Sequence, residues 1–432
     1  MHYDAALLGF AAVFVLMAMR VPIGVALGVV GVIGYAMVVK TMPALKLLAL
    51  APLRTASDLN FAVVPLFIVM GVLARNAGIS ADLFGAFRTW LGALRGGLGL
   101  ATIGACAGFS AVCGSSIATA ATMAKIAVPE MTRAGYDDRY AAGTVAAGGT
   151  LGILIPPSVP LMIYGILTET DIGTLFIAGI VPGVLATLLY MATIFLISWR
   201  NPAAFPLGPR TSLAEKLHSL RNLWAAIVIF AVVIGGIYGG LFTVIEAAGI
   251  GAAATLIVSV LQGRIGPAMV ADSFVEAVRT TGALFTMLIG AILFSTFLTV
   301  TRAPQDLVGW LSGLDLPAWG ILALLLVMYF FLGWFLDALA MIIITVPVVY
   351  PVIVQLGYDP IWFGIVLVIA CEMGLLTPPY GINVFVINGV VPTISIPRIF
   401  RGVIPFVGID VLRLVLIAAF PAIALFLPHL MR

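Results

Sequence analysis

Charge is scarce in this 432-residue sequence. Asp, Glu, Lys and Arg together make up 9% of it and apolar residues 62%, whereas a soluble domain is about a quarter charged. Water is therefore excluded as its main solvent. No polar stretch is long enough to fold outside a bilayer, the longest interruption running only over 200–222. Histidine and cysteine are equally thin, with three of each. His2, His218 and His429 lie at the two ends and in the central polar stretch, so no intramembrane histidine metal site or catalytic triad can be assembled. Cys106, Cys113 and Cys371 sit in apolar segments with no CxxC pair, and read as small packing residues. The formal charge is +3 and the basic residues form no dense run, which does not suggest nucleic-acid binding. A GxxxxGK[ST] phosphate loop is missing, so an ion gradient has to supply work unless another chain brings a nucleotide. The first twenty residues carry Asp4 and no early Lys or Arg, which suits a first membrane helix better than a cleaved signal peptide.

Apolar runs are what the chain has in excess. They cover 5–19, 21–39, 61–73, 98–112, 175–199, 223–238, 241–261, 282–300, 319–336 and 403–427. A crossing takes about 20 apolar residues, so the length allows roughly a dozen. Runs of this length with Gly and Pro inside them read as helices, because a transmembrane barrel needs short alternating strands. The expected fold class is therefore all-α and polytopic. The stretch 200–222 sets Arg200, Arg210, Lys216 and Arg221 against Glu215, with Pro202, Pro206 and Pro209 predicted to break any helix. The positive-inside tendency puts it in the cytoplasm. It separates a first repeat, 1–199, from a second, 223–432.

The two halves echo each other. Gly152-Ile-Leu-Ile-Pro156-Pro157 returns as Gly374-Leu-Leu-Thr377-Pro378-Pro379, and Gly179-Ile-Val-Pro182 returns as Gly402-Val-Ile-Pro405. Val128-Pro129 pairs with Val346-Pro347, and Gly114 with Gly333. Matches in the same order at nearly one offset point to an internal duplication, the ground plan of secondary transporters.

Two prolines in succession end a helix, since each lacks an amide donor and clashes with the preceding turn. Lipid cannot satisfy the freed backbone groups, so such breaks survive only against protein or a hydrated cavity. Carbonyls bared over 152–157 and 374–378 can replace the water around a sodium ion, while new helix starts near Ser158 and Tyr380 offer amides to a carboxylate. Thr377, Ser158 and Asn383 add side-chain oxygens or donors. Upstream, Ser110-Ala-Val-Cys-Gly114-Ser115-Ser116-Ile-Ala-Thr119 puts hydroxyls in an apolar stretch, and Gly333-Trp-Phe-Leu-Asp337 puts a carboxylate in the equivalent place. Ionisable groups in membrane helices are costly, so Asp337, Lys125 and Glu372 are functional candidates, Lys125 chiefly as a snorkelling side chain. Gly24, Gly28, Gly31 and Gly34 form a small-residue face for close approach to another helix, of this chain or of a partner.

At these residues the sequence resembles the large membrane subunit of the tripartite ATP-independent periplasmic (TRAP) transporters. The resemblance rests on Gly114-Ser115-Ser116-Ile-Ala-Thr119-Ala-Ala, Pro129-Glu130-Met131, Gly148-Gly149-Thr150-Leu-Gly152-Ile-Leu-Ile-Pro156-Pro157-Ser158, Glu372-Met-Gly374-Leu-Leu-Thr377-Pro378-Pro379 and Gly381-Ile-Asn383. It implies an elevator-type sodium symporter of the bacterial inner membrane. Two inverted repeats would carry helical hairpins with broken helices, near 140–166 and 360–389. It also implies a small membrane subunit, a periplasmic substrate-binding protein, membrane lipid and a small-molecule carboxylate as partners. Sodium would be held by Ser110, Gly114, Gly152, Ile155 and Pro157 around one ion and by Gly333, Gly374 and Thr377 around another. Ser115, Ser116, Ser158, Asp337 and Asn383 are the candidates for holding the carboxylate.

Two rivals stand beside this expectation. One is a sodium- or proton-coupled carboxylate symporter that needs no binding protein. The other is an intramembrane hydrolase using Ser116 with Lys125. The separation along one helix, about 14 Å, is too great for direct proton transfer.

Overall fold

The computed structural model describes residues 2–314 and 316–431. Every regular element in the described residues is helical. The first half runs α1 (His2–Ala18), α2 (Ile23–Val38), α3 (Thr41–Ser57), α4 (Val63–Asn76), α5 (Ile79–Leu91), α6 (Gly97–Cys113), α7 (Ser116–Arg133), α8 (Asp138–Leu154), α9 (Val159–Thr168) and α10 (Ile172–Arg200). After α11 (Leu213–Leu220) the second half follows: α12 (Trp224–Tyr238), α13 (Val244–Leu261), α14 (Pro267–Val300), α15 (Ala303–Ser312), α16 (Ala318–Leu332), α17 (Ala338–Gln355), α18 (Pro360–Leu376), α19 (Ile382–Val390), α20 (Ile396–Ala419) and α21 (Ala422–Leu430). Among the described residues, eight helices or closely joined helix pairs are long and apolar enough to cross a membrane. That is fewer than the dozen the length allows, because glycine and proline cut several apolar runs into shorter helices.

The duplication extends through the whole element order. Starting at 2 and 224, 23 and 244, 116 and 338, 138 and 360, and 159 and 382, corresponding helices recur about 222 residues apart. The register corrects one sequence pairing, since Pro129 in α7 corresponds to Pro351 in α17 and not to Pro347. Packing is reciprocal as well. α7 packs on α19 and α9 on α17; α8 packs on α20 and α10 on α18; α2 packs on α14 and α13 on α4. Exchange of every partner between halves is what a two-fold axis produces.

The direction of α8 and α18 shows that the repeats are inverted. At the start of α8, the Asp137 amide donates to the Ala204 carbonyl at 3.2 Å, and Arg398 at the start of α20 reaches Asp137 at 3.2 Å. The start of α18 lies at the other end, where the Tyr164 hydroxyl of α9 donates to the Pro360 carbonyl at 2.7 Å and the Trp362 indole to Ile417 near the end of α20 at 2.8 Å. The two helices therefore enter from opposite ends.

The same geometry corrects where the hairpins lie. The 29-residue α10 ends beside the Ala204 segment and begins just after α9, so α8 and α9 together traverse the protein. The segments 140–166 and 360–389 are broken spans, not hairpins. The hairpins are α6–α7 and α16–α17. In the first, the Leu98 amide donates to the Tyr136 hydroxyl at 3.1 Å and brings both ends to one side. The expectation that prolines keep 200–222 free of helix also needs amending. All three precede Ser212, which starts α11 through a capping box: its hydroxyl accepts from the Glu215 amide at 3.2 Å while its own amide donates to the Glu215 carboxylate at 2.7 Å.

The small-residue face of α2 is used inside the chain. A Cβ built on Gly24 would lie 2.6 Å from the Thr286 carbonyl oxygen, and one on Gly31 2.6 Å from the Leu293 carbonyl carbon, so only glycine lets α2 and α14 pack backbone to backbone. Polar cement holds the other side of the molecule. Arg413 on α20 donates to Glu372 on α18 and pairs with Asp410 at 3.0 Å, and the Tyr190 hydroxyl of α10 donates to Asp410 at 2.7 Å. Glu372, Asp410 and Arg413 are fully buried, and charges so far from water persist only when paired. Arg413→Ala leaves two buried carboxylates without their counter-charge and should destabilise the protein by about 3–5 kcal/mol. Thermal unfolding in detergent checks this, and an unchanged midpoint would mean that the network does not hold α18 to α20.

Candidate functional site

Both hairpin tips are built where a helix cannot continue. Gly114 closes α6 at φ 66°, its amide donating to the Ser110 carbonyl at 3.2 Å, a conformation glycine adopts without steric cost. A Cβ there would also lie 2.6 Å from the Pro157 carbonyl oxygen. Ser115 then caps α7, its hydroxyl accepting from the Ala118 amide at 3.3 Å. Facing this tip, α8 stops at Leu154, the Pro156–Pro157 peptide is cis, and Ser158 caps α9 by accepting from the Leu161 amide at 3.3 Å. The Val159 amide donates to the Gly114 carbonyl at 3.4 Å and ties tip to break. Gly152 lies under the tip, where a Cβ would come within 2.6 Å of the Ser115 carbonyl oxygen and 2.9 Å of Thr119 Oγ1. Thr119 Oγ1 is buried beside the Cys113 thiol and makes no hydrogen bond of ordinary geometry among the described residues.

The second half repeats the arrangement with other side chains. Gly333 closes α16, and Asp337 caps α17 by accepting from the Leu339 amide at 3.3 Å. The opposed break spans Thr377 to Gly381 with a cis Pro378–Pro379 peptide, and the Thr377 hydroxyl donates to the Met373 carbonyl at 3.0 Å. Gly333 meets Gly374 closely enough that a Cβ on the first would lie 2.7 Å from the Cα of the second. The next helix, α19, starts at Ile382, two residues beyond the Tyr380 expected from the proline pair, because Gly381 at φ 45° makes the turn.

Between the tips lies a cavity of about 370 Å³. The first residues of α7 (Ser116, Ile117), α9 (Val159, Pro160) and α17 (Ala338, Leu339) all line it, together with Gly114, Ser115 and Asp337. Three helix N-termini thus bring their positive dipole ends to one space; at α9 the Val159 and Leu161 amides are already engaged and Pro160 has none, so it contributes its dipole alone. Arg75 of α4 and Glu276 of α14 form an ion pair in its wall.

The remaining sequence candidates fall around this cavity. Asn383 stands behind Ser116 and donates to its hydroxyl at 2.8 Å and to the Ala146 carbonyl at 3.2 Å, which links α19 to α7 across the halves. Ser158 is fully buried and donates to the Ile153 carbonyl inside the break. Ser110 donates to the Cys106 carbonyl at 2.6 Å within α6. Ile155 and Thr377 are the last residues before the two proline pairs, at the caps of α8 and α18. Glu372 belongs to the Arg413 network, away from the cavity lining. Lys125 is exposed, in a separate pocket, and α7 runs unbroken between it and Ser116, so these two do not form a catalytic pair. Of the cysteines, Cys106 and Cys371 are buried packing residues while Cys113 lines the cavity.

Several functional candidates escaped sequence reasoning. Thr119 was visible as one more hydroxyl in a motif rich in them, but its orphan oxygen appears only once Gly152 is seen against it. Arg75 and Glu276 sit at the polar edges of apolar runs and look like interfacial charges. Asp410 and Arg413, three residues apart inside the run 403–427, were a readable signal of a buried pair.

A sodium ion, the coupling ion the resemblance implies, takes hard oxygen donors, as other hard cations do. The first break supplies them: the Pro157 and Ser115 carbonyls turned toward Gly114 and Gly152, and Thr119 Oγ1 left without a hydrogen bond of ordinary geometry among the described residues. These residues fit such an ion.

Inverted repeats whose hairpin tips share one cavity, each tip facing a broken span, define a secondary membrane transporter. The chain belongs to the family described as the tripartite ATP-independent periplasmic transporter, DctM component, which matches residues 10–423. It is a multi-pass protein of the inner membrane. It is 34% identical to the C4-dicarboxylate TRAP transporter large permease protein DctM of Pseudomonas aeruginosa, over 88% of this chain and 89% of that one. It is 32% identical to the sialic acid TRAP transporter large permease protein SiaM of Vibrio cholerae, over 85% and 86%. The isethionate TRAP transporter permease protein DctMQ of Oleidesulfovibrio alaskensis is 34% identical over 84% of this chain, which spans 57% of that longer protein. In fold it is similar to the crystal structure of the Alcanivorax borkumensis YdaH transporter, with a TM-score of 0.61 at 18% identity, covering 84% of this chain and 85% of that one.

The bond between Ser116 and Asn383 couples the halves energetically. A double-mutant cycle with Ser116→Ala and Asn383→Ala should give a coupling of about 0.5–1.5 kcal/mol in thermal unfolding; additive effects would mean that the contact does not join α7 to α19.

Proposed function

We propose that this chain is the transporting subunit of a sodium-coupled importer of an organic acid. The carrying observation is the convergence of three helix N-termini on one cavity, beside two backbone breaks rich in carbonyl oxygen. Amides and helix dipoles there favour a carboxylate. The relatives named for C4-dicarboxylate and sialic acid transport agree in that class. Coupling follows from Asp337, whose carboxylate lines the same cavity. Two like charges about 4 Å apart at an effective dielectric of about 20 repel by about 4 kcal/mol, roughly a thousandfold in affinity. Sodium bound near Thr377 and Gly374, and at Thr119 and Pro157, offsets that repulsion, so the anion binds well only when the ions do. Loading both orders the tips and lets the ion-bearing domain move as an elevator.

The wider assembly is proposed on family grounds. A periplasmic binding protein delivers the acid, and a separate small membrane subunit braces this one; the fused-length relative supports that reading. The end of the molecule that carries 200–222 also gathers Arg139, Arg398 and Arg401, whereas Glu169, Asp171 and Asp359 lie at the opposite end. By the positive-inside tendency the basic end is cytoplasmic.

Proteoliposome uptake of radiolabelled succinate and of sialic acid, with sodium gradient, binding protein and small subunit each supplied or withheld, tests the reading. Accumulation should require the gradient and the binding protein. Uptake by this chain alone would favour a self-sufficient symporter, and uptake indifferent to sodium would end the coupling argument. Thr119→Val and Thr377→Val should each raise the half-saturating sodium concentration roughly tenfold, the loss of about one oxygen contact; an unchanged sodium dependence would remove that residue from the ion sites.

A further inference from the structure

We infer that the pocket between α5 and α7 binds the phosphodiester headgroup of an anionic phospholipid. The pocket is an open surface cleft of about 370 Å³ lined by Arg88, Lys125 and Arg133, with Glu130 as its lone carboxylate among the described residues. Glu130 is shared between two guanidinium groups, at 2.9 Å from Arg88 Nη1 and 3.3 Å from Arg133 Nη1. Lys125 is left over: it makes no hydrogen bond or ion pair among the described residues. Three cations against one carboxylate leave a net charge of +2, unspent on the protein itself.

Depth selects the ligand. Lys125 lies nine residues from Ser116 at the hairpin tip, about 14 Å along the helix, and the half-thickness of a hydrocarbon core is about 15 Å. Arg88 is two residues from Trp90, which is exposed, as are Trp199 and Trp224 at the same end of the molecule. Exposed tryptophans collect at the headgroup boundary, so the pocket sits where phosphate groups do. Its inner wall suits an acyl chain. Ala81 and Ile126 line it above the buried Phe84 ring, and a Cβ built on Gly85 would meet nothing within 4 Å, which leaves open space along α5. Free phosphate has no use for that apolar floor, whereas a lipid fills both parts. Basic pockets between membrane helices on this kind of face recognise anionic headgroups.

The test measures lipid retained by the purified full chain in detergent, by mass spectrometry, with phosphatidylglycerol or phosphatidylcholine added, alongside the thermal midpoint. Phosphatidylglycerol should be retained preferentially and should raise the midpoint. Lys125→Gln should weaken retention about fivefold, Lys125→Arg should preserve it, and Gly85→Leu should lower it by filling the open space along α5 with every charge in place. Arg200→Gln, a cation at the same end but outside the pocket, should have no effect. Equal retention of phosphatidylcholine, or equal weakening by Arg200→Gln, would overturn the site as a specific one. Stabilisation by inorganic phosphate alone as large as that by phosphatidylglycerol would overturn the lipid as its ligand.

Discussion

Bared backbone in the middle of a membrane is the constraint on which this structure turns. Each proline pair strips carbonyls and amides of their helical partners at a depth where lipid offers none. The fold answers by bringing each break against a hairpin tip of its own half and a helix of the other. The Val159 amide finds the Gly114 carbonyl, α9 packs on α17, and α19 packs on α7. Each break is tied to the tip of its own half and covered by a helix of the other, so the site is completed only by both halves.

The backbone is nearly symmetric, but the side chains at equivalent positions are not. Ser115 corresponds to Asp337, Ser116 to Ala338, Thr119 to Met341, Ile155 to Thr377 and Leu161 to Asn383. The positions that mirror the Ser116–Asn383 hydrogen bond are held by Ala338 and Leu161, two apolar side chains that cannot repeat it. One tip is rich in hydroxyls and the other brings a carboxylate. Two breaks with the same geometry but different donors can hold two ions in different surroundings, and the cavity between them meets hydroxyls on one side and a carboxylate on the other.

How much of this was legible depended on whether the information was local. Pro156-Pro157 and Pro378-Pro379 announce broken helices because proline acts through its own ring and missing amide. The offset near 222 was readable because Gly152 and Gly374 answer backbone demands that tolerate no substitute. The path of the chain beyond each break was not legible. A proline pair says where a helix ends and nothing about whether the next segment turns back or continues, which was decided here by the 29-residue α10 returning from the far end. Glu372 was singled out, but its partner Arg413 lies 41 residues further on, and no local pattern joins them. Thr119 looked like its neighbours until the third dimension left it without a hydrogen bond of ordinary geometry among the described residues.

The placement of ion pairs bears on how such a molecule can move. Glu372, Asp410, Arg413 and Tyr190 tie α18, α20 and α10 together. Arg75 with Glu276 and Arg264 with Asp82 tie α4, α5 and α14 with the turn after α13. Polar ties are directional and resist sliding, so each group behaves as a body. Across the cavity the surfaces are largely apolar, with Ile68, Val72 and Leu284 of α4 and α14 and Ile153, Val159 and Leu339 of α8, α9 and α17, helices that pack on α20, α18 and one another. Apolar contacts of similar shape can be exchanged for one another at little cost because dispersion and burial carry no directionality. The proposed elevator movement needs that combination: rigidity inside each body and a boundary that, among the described residues, no buried ion pair locks.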